Sequence, residues 1–278
     1  MTTELQQALQ TIQRINNTFA YEIWVPSLSR NVMFKEINTS QQKRLLKSII
    51  DSEVHNTEFI STIYNIIKEN CDDTEVDIDG LSIIDKLFIC LKMRSVSISN
   101  DINLEFVSKH DEDIQFKAKI DLEKIIKAGI KKIKHESEVV IKDHGFDITC
   151  RVPSILTEFT LENELRKNTQ DLEIDNVEEL RESIGDKFIG EVSKYIAKIQ
   201  PSDSEDVIDI TTFSFKDRIE LIESLPSKCL SSVIAYMNQV NKDIDSVTIY
   251  KHTFKHEDGK KEVFEHTLSI DSNFFIVS

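Results

Sequence analysis

What most constrains this chain is a change of hydrophobic period within residues 25–59. The first part reads as an extended run, broken by Pro26 and Ser29 and continuing through Val32, Met33, Phe34, Lys35, Glu36 and Ile37. Beyond it Leu45, Leu46, Ile49 and Ile50 recur at helical spacing, with Lys43, Arg44 and Lys47 mostly on the opposite side. One element cannot serve both periods, so a strand must hand over to a helix at residues 39–42. Thr39 and Gln42 stand three apart as a capping box. The Thr39 hydroxyl would accept from the Gln42 amide while the Gln42 side chain reaches back to the Thr39 amide. Strand, cap and amphipathic basic helix are expected to form one docking unit.

Composition fits a folded, acidic protein. The 278 residues suffice for one large domain or two small ones, and a 40% hydrophobic content with 15 Phe can build a core. Only 6 Gly and 4 Pro argue against a repetitive fibre or a long flexible linker. A net charge of -15 opposes broad binding to nucleic acid, whose phosphates need Lys and Arg to replace their counterions. The densest basic run, Lys124, Lys127, Lys131, Lys132 and Lys134, has the spacing of a solvated helix face. Cys71, Cys90, Cys150 and Cys229 show neither chelating C-x-x-C spacing nor a disulfide framework, so reduced and buried thiols are expected. The first residues lack the basic start and apolar core of a signal peptide. No run approaches the ~20 apolar residues of a membrane helix, so the chain reads as cytoplasmic at synthesis.

Along the chain, Leu5, Leu9, Ile12 and Ile15 predict a one-sided helix over residues 2–16. It is too short to stand alone in water, so it should dock on this protein's own body or on another subunit. Phe59, Ile60, Ile63, Tyr64, Ile66 and Ile67 predict a helix that makes a hairpin with the one after residue 39, and Leu81, Ile84, Leu87, Phe88 and Leu91 predict a third. The acidic loop before it imitates a calcium loop, with Glu75, Asp77, Asp79 and Gly80 in the first, third, fifth and sixth places. Lys86 occupies the twelfth, where a bidentate Glu is needed, so the loop reads as an acidic turn capping the third helix.

Between residues 97 and 152 apolar and polar residues alternate around Ile98, Ile102, Leu104 and Phe106, around Ile114, Phe116 and Ala118, at Val139 and Ile141, and at Phe146, Ile148 and Cys150. These predict a small antiparallel sheet, with a hairpin turn at residues 142–146 and a short helix at 121–128. Residues 157–167 read as a helix. An Asn176–Glu179 cap is followed by Leu180, Ile184, Phe188, Val192, Ile196 and Ile199, the longest helix expected; its Gly185 and Gly190 either permit close packing or merely weaken it. Phe215, Ile219, Ile222 and Leu225 mark another, and Pro226 starts the next through Cys229, Val233, Tyr236 and Val240. The Asp258-Gly259 turn predicts a hairpin with Phe254 opposite Val263 and Lys255 opposite Glu262. The apolar tail, residues 273–277, must be buried in its own core or in a neighbour.

The fold class expected is therefore α+β, a mainly helical body with a small antiparallel sheet insertion and a C-terminal β-hairpin. The expected division is an N-terminal helical region over 1–96, a small β region over 97–153 and a C-terminal helical region over 154–278. Glycine-rich phosphate loops, H-E-x-x-H and G-x-S-x-G are absent from the sequence. His252 and His256, four apart on a strand, stand about 13 Å apart and cannot share a metal. No catalytic, cofactor-binding or metal-binding residue is assigned.

Three pieces carry a resemblance to a known family. Val25-Pro26-Ser27 with Phe34-Lys35-Glu36-Ile37-Asn38-Thr39-Ser40-Gln41-Gln42-Lys43-Arg44-Leu45-Leu46-Lys47 resembles the N-terminal signature of baseplate hub proteins from contractile-tailed phages of the T-even type. Ile219-Glu220-Leu221-Ile222-Glu223-Ser224-Leu225-Pro226 and Ile270-Asp271-Ser272-Asn273-Phe274-Phe275 are similar to later parts of the same family; together the pieces cover less than half the chain. The resemblance implies a hub protein without chemistry of its own. It is either a structural subunit or a chaperone-like assembly factor, and the net charge mildly favours the latter. It would act in the host cytoplasm during assembly, and in the virion tail baseplate if retained. Its partners would be other tail and hub proteins, with a further copy of itself left open, and it would use no nucleic acid, membrane or cofactor. Candidate interaction residues are Pro26, Phe34, Thr39, Gln42, Lys43, Leu46, Phe274 and Phe275. Two alternatives stand beside it: an enzyme, hydrolase or nuclease, whose carboxylates converge only in three dimensions, and a transcription-linked module binding DNA in a salt-sensitive way.

Overall fold

The structure, a computed structural model, describes residues 3–16, 19–52, 57–109, 111, 113–133, 138–170, 177–256, 259–270 and 272–275. The chain begins with α1 (Thr3–Asn16), β1 (Ala20–Val25), β2 (Arg30–Lys35), α2 (Thr39–Ser52), α3 (Thr57–Asn70) and α4 (Ile83–Ser97). It continues through β3 (Asp101–Val107), β4 (Gln115–Asp121), α5 (Leu122–Lys132), β5 (Val139–Asp143), β6 (Phe146–Cys150), α6 (Ile155–Gln170) and α7 (Val177–Ser193). It ends with β7 (Ile196–Pro201), β8 (Ile208–Asp209), α8 (Phe215–Glu223), α9 (Ser227–Thr248), β9 (Ile249–Lys255) and β10 (Lys261–Thr267). The fold is α+β: helices dominate, and every strand pair among the described residues is antiparallel. No helix among the described residues is long and apolar enough to cross a membrane.

The chain divides into two compact units, the first made of Met1–Val76, Leu87–Ile133 and Ile244–Ser278. Its β1–β2 hairpin turns through Pro26, whose fixed φ suits the 3-10 turn Pro26–Leu28, and through Ser29 at φ 50. Period-2 alternation buries Ile23, Val25, Val32 and Phe34 and leaves Met33 38% exposed. Two further hairpins, β3–β4 and β9–β10, meet through their aromatic faces: the Phe116 and Phe254 rings stack at 4.4 Å and Phe106 lies 5.0 Å from Phe264.

The β9–β10 register differs by one residue from the expected one. Phe254 pairs with Glu262 and Lys255 with Lys261, because the turn is longer than two residues and closes with the His256 amide donating to the Lys260 carbonyl at 2.9 Å. Gly259 takes a positive φ of 83, which glycine tolerates; Asp258 lies outside the described residues. A one-residue slip exchanges the faces of a strand. Phe264 consequently points inward, Val263 is 53% exposed, and Glu262 is buried. There the Ser108 hydroxyl donates to the Glu262 carboxylate at 2.9 Å, the Lys109 amide donates at 2.7 Å, and His256 lies 2.9 Å away.

The apolar tail is tied into the same unit. Phe274 and Phe275 are buried; Phe275 packs 6.4 Å from Phe59, and the Arg94 guanidinium lies over the Phe274 ring and donates to its carbonyl at 2.6 Å. Ile276 and Val277 lie outside the described residues.

The second unit comprises Asp77–Lys86 and Lys134–Asp243. Its sheet runs β5-β6-β7-β8. The strands expected as one sheet between 97 and 153 are thus parted: β3 pairs with β4, whereas β5 and β6 join β7. The 142–146 turn is present, with His144 and Gly145 both at positive φ, the two-residue arrangement whose twist matches a hairpin.

Helix α7 is shorter than expected, ending at Ser193, and Ile196 and Ile199 belong to β7. Their three-residue spacing imitates a helix because the β6–β7 register shifts between Thr149 and Cys150. Cys150 pairs with Ile196, Thr149 with Lys198, and both isoleucines stay buried. The third helix is capped by Ser82 and Asp85, each side chain accepting from the other's amide, at 3.1 and 2.8 Å; the acidic turn before it does not serve as the cap.

Candidate interaction surface

The period change near residue 39 does start a helix, but its cap sits one residue earlier than expected. The Asn38 side chain accepts from the Gln41 amide at 3.0 Å and the Gln41 side chain accepts from the Asn38 amide at 3.0 Å. Asn is at least as good a cap as Thr, and placing the box at Asn38–Gln41 turns Gln41 rather than Gln42 into the protein. Gln41 is 4% exposed and donates to Asn70 on α3 at 3.1 Å and to Glu69 at 3.0 Å. Gln41, Leu45 and Ser48 form the buried side of α2. Leu46, expected inward, is 43% exposed and shares the outer face with Lys43 and Lys47. The side chains of Ile49 and Ile50 lie outside the described ones.

Ion pairs fix this unit from two sides. Arg44 grips the Glu69 carboxylate with both guanidinium arms, and its hydrogen bond, reinforced by Gln41, holds Glu69 below the usual glutamate range. The acidic loop after α3 serves the β1–β2 hairpin: Lys35 pairs with Asp72 at 2.7 Å and Arg30 with Asp73 at 2.6 Å, which holds the Asp73 carboxyl below its ordinary range. The Asp72 amide also donates to the Met33 carbonyl at 2.9 Å. A cavity of about 250 Å3 lies at the strand-to-helix handover, lined by Phe19, Lys35, Glu36, Ile37, Asn38, Thr39 and Asn70.

The candidate interaction residues thus separate by environment. Phe34, Phe274 and Phe275 are buried within the first unit; Pro26 and Gln42 are half-buried; Thr39 is exposed and lines the cavity; Lys43 and Leu46 are exposed together on α2.

Two ionisable clusters lie in the second unit. Lys194, 7% exposed, meets Glu191 at 2.7 Å and Glu162 at 3.1 Å. Burial works against its charge, but the two glutamates outweigh it and hold Lys194 above the ordinary lysine range, which favours its charged form. Asp143 accepts from the Ser232 hydroxyl at 2.6 Å and meets His144 through its other carboxylate oxygen. In a nucleophilic triad the serine must face the histidine; here both face the carboxylate, whose pKa is lowered first by Ser232 and then by His144. With Cys229 donating to the Asp143 carbonyl at 3.3 Å, the cluster fastens the β5–β6 turn to α9. Among the described residues no three His, Cys, Asp or Glu side chains gather to hold a metal.

Residues 17–270 match the family described as T4 bacteriophage base plate protein. The chain belongs to that family. It matches no curated protein and no solved structure. As a base plate protein it takes its place in a phage tail structure among other tail proteins, and the family is a structural one. The match spans β1, β2 and α2, both hairpins of the aromatic pair and the whole second unit as far as residue 243. The detail of this surface that sequence reasoning misses in this base plate protein is the Asn38–Gln41 box. Its signal was present, since Asn38 and Gln41 have the same three-residue spacing as Thr39 and Gln42, and Asn is a strong cap.

Proposed function

We propose that this base plate protein works at the baseplate hub, by association with other tail proteins and without chemistry of its own. The reading is supported by the resemblance of residues 25–47 to hub proteins, and it is carried by one observation: the exposed Lys43, Leu46 and Lys47 face of α2, backed by Gln41, Leu45 and Arg44–Glu69. A helix held on one side and presenting an apolar residue between two cations suits a partner with an apolar pocket rimmed by carboxylates. In a chain of net charge -15 such a basic face is also selective, because the remaining acidic surface repels the same partner elsewhere. Phe34, Phe274 and Phe275 serve by holding the scaffold that presents this face.

The test is assembly. Leu46→Asp combined with Lys43→Glu should cut the yield of complete particles at least tenfold in a complementation assay while leaving the unfolding midpoint of the purified protein unchanged. Undiminished particle yield would defeat the proposal. Mass spectrometry of purified particles against infected-cell lysate distinguishes the two hub roles: a structural subunit is found in both, an assembly factor in lysate alone.

A further inference from the structure

Helix α1 displays an apolar seam at its surface. Leu5 is 47% exposed, Ile12 55% and Ile15 48%, and Ala8 is exposed as well. These four residues follow one another at intervals of three, four and three, the a/d spacing by which helices pair side by side. On α7 Ile184 and Phe188 are exposed as a pair four apart, whereas the exposed residues of α1 run through two consecutive heptads.

We infer that α1 is a self-association element through which two copies of this chain pair antiparallel. Charge and volume identify the occupant. At a net charge of -15 two copies repel each other over most of their surfaces. The exposed polar side chains Gln6, Gln7 and Thr11 beside the seam are neutral, and Glu4 is the one charged residue among the described side chains of α1. A parallel pair would set Ala8 against Ala8, leaving a gap between two small side chains, and would place the two Glu4 carboxylates together. An antiparallel pair centred on residue 10 sets Leu5 against Ile15 and Ala8 against Ile12 of the second copy. Each Ala8 is then filled by an Ile12, the large Leu5 and Ile15 close the two ends, the two Glu4 residues stand apart, and the helix dipoles oppose. A second copy therefore fits this face without any other component.

The helix also sets the strength. Fourteen residues span about 21 Å, and two heptad layers bury less than the ~1,200 Å2 of a standard interface, so association is weak and concentration-dependent. The face is distinct from Lys43 and Leu46 on α2, so this inference stands or falls apart from the hub assignment.

Sedimentation velocity of the full chain from about 1 to about 200 µM tests it. A species of 32.1 kDa should give way to one of twice that mass as concentration rises. Ile12→Asp should weaken the dimer at least tenfold with an unchanged circular dichroism spectrum, whereas Ile184→Asp, at a residue 61% exposed on α7, should dimerise like the parent. Orientation is read by oxidative cross-linking in a Cys71→Ser background: an Ala8→Cys chain mixed with an Ile12→Cys chain should form the mixed disulfide faster than either forms its own. A monomer at every concentration, a dimer that survives Ile12→Asp, or self-cross-linking of Ala8→Cys ahead of the mixed pair would each overturn the inference.

Discussion

The two glycines of α7 make the same substitution yield opposite signs. Alanine gains ~0.8–1.0 kcal/mol over glycine in a helix interior, mainly through the conformational freedom glycine loses on folding. At Gly185 an added Cβ meets nothing within 4 Å, so Gly185→Ala should stabilise the second unit by nearly that whole amount. At Gly190 the same Cβ would lie 2.8 Å from Cε2 of Phe215 and 3.1 Å from its Cζ. Phe215 cannot swing aside, being buried with Leu161, Leu165 and Ile219. Overpacking of this kind costs about 1–3 kcal/mol. After the propensity gain is subtracted, Gly190→Ala should destabilise by about 1 kcal/mol, so the two variants differ by about 2 kcal/mol. Urea unfolding measures the difference, but the probe matters. The single Trp, Trp24, lies in the first unit, so hydrogen exchange of the β6 and β7 amides is the appropriate readout for the second. A Gly190→Ala protein as stable as its parent, or a Gly185→Ala protein less stable, would show that α7 is not seated against Phe215 in this way.

The β9–β10 register is tested by neighbouring substitutions: Val263→Lys should leave the unfolding midpoint within about 0.5 kcal/mol, whereas Phe264→Ala should lose about 3–5 kcal/mol of stability, and the opposite ranking would restore the register read from the turn alone. Acid unfolding reports on Arg44 and Glu69. Because the folded Glu69 pKa is depressed, its contribution is present above the ordinary glutamate value near 4.5 and is lost as pH falls through the lower folded value. Arg44→Ala should therefore lower stability at neutral pH, bring the two proteins' stabilities together in acid, and raise the Glu69 carboxyl titration observed by NMR toward its ordinary value. An unmoved Glu69 titration would contradict the pairing.

Much of this architecture can be read from residues alone wherever a local pattern and a tertiary environment agree. The amphipathic run Phe59 to Ile67, the inward face of α4 and the His144-Gly145 turn are such places. Legibility fails where one pattern serves two structures. Ile196 and Ile199 keep helical spacing on a strand because a bulge absorbs a residue, and Thr39–Gln42 duplicates the spacing of the Asn38–Gln41 box that the protein uses. A hairpin whose turn contains Asp-Gly is assigned two loop residues by rule, yet here the loop is longer and every side chain beyond it changes face. The sequence puts Lys43, Leu46, Phe34, Phe274 and Phe275 alike among the candidate interaction residues, and only burial shows that the three phenylalanines face their own unit.

The first unit draws its strands and helices from three separated segments, and the Arg94–Phe274 hydrogen bond closes a separation of 180 residues. On the ribosome, the second unit's segments have all been synthesised by residue 243, while the first still lacks β9, β10 and the aromatic pair at its end. Synthesis therefore imposes a timetable: α2 and the Glu69 that grips it are made early, but the bond from Arg94 that closes the first unit waits until Phe274 has been translated.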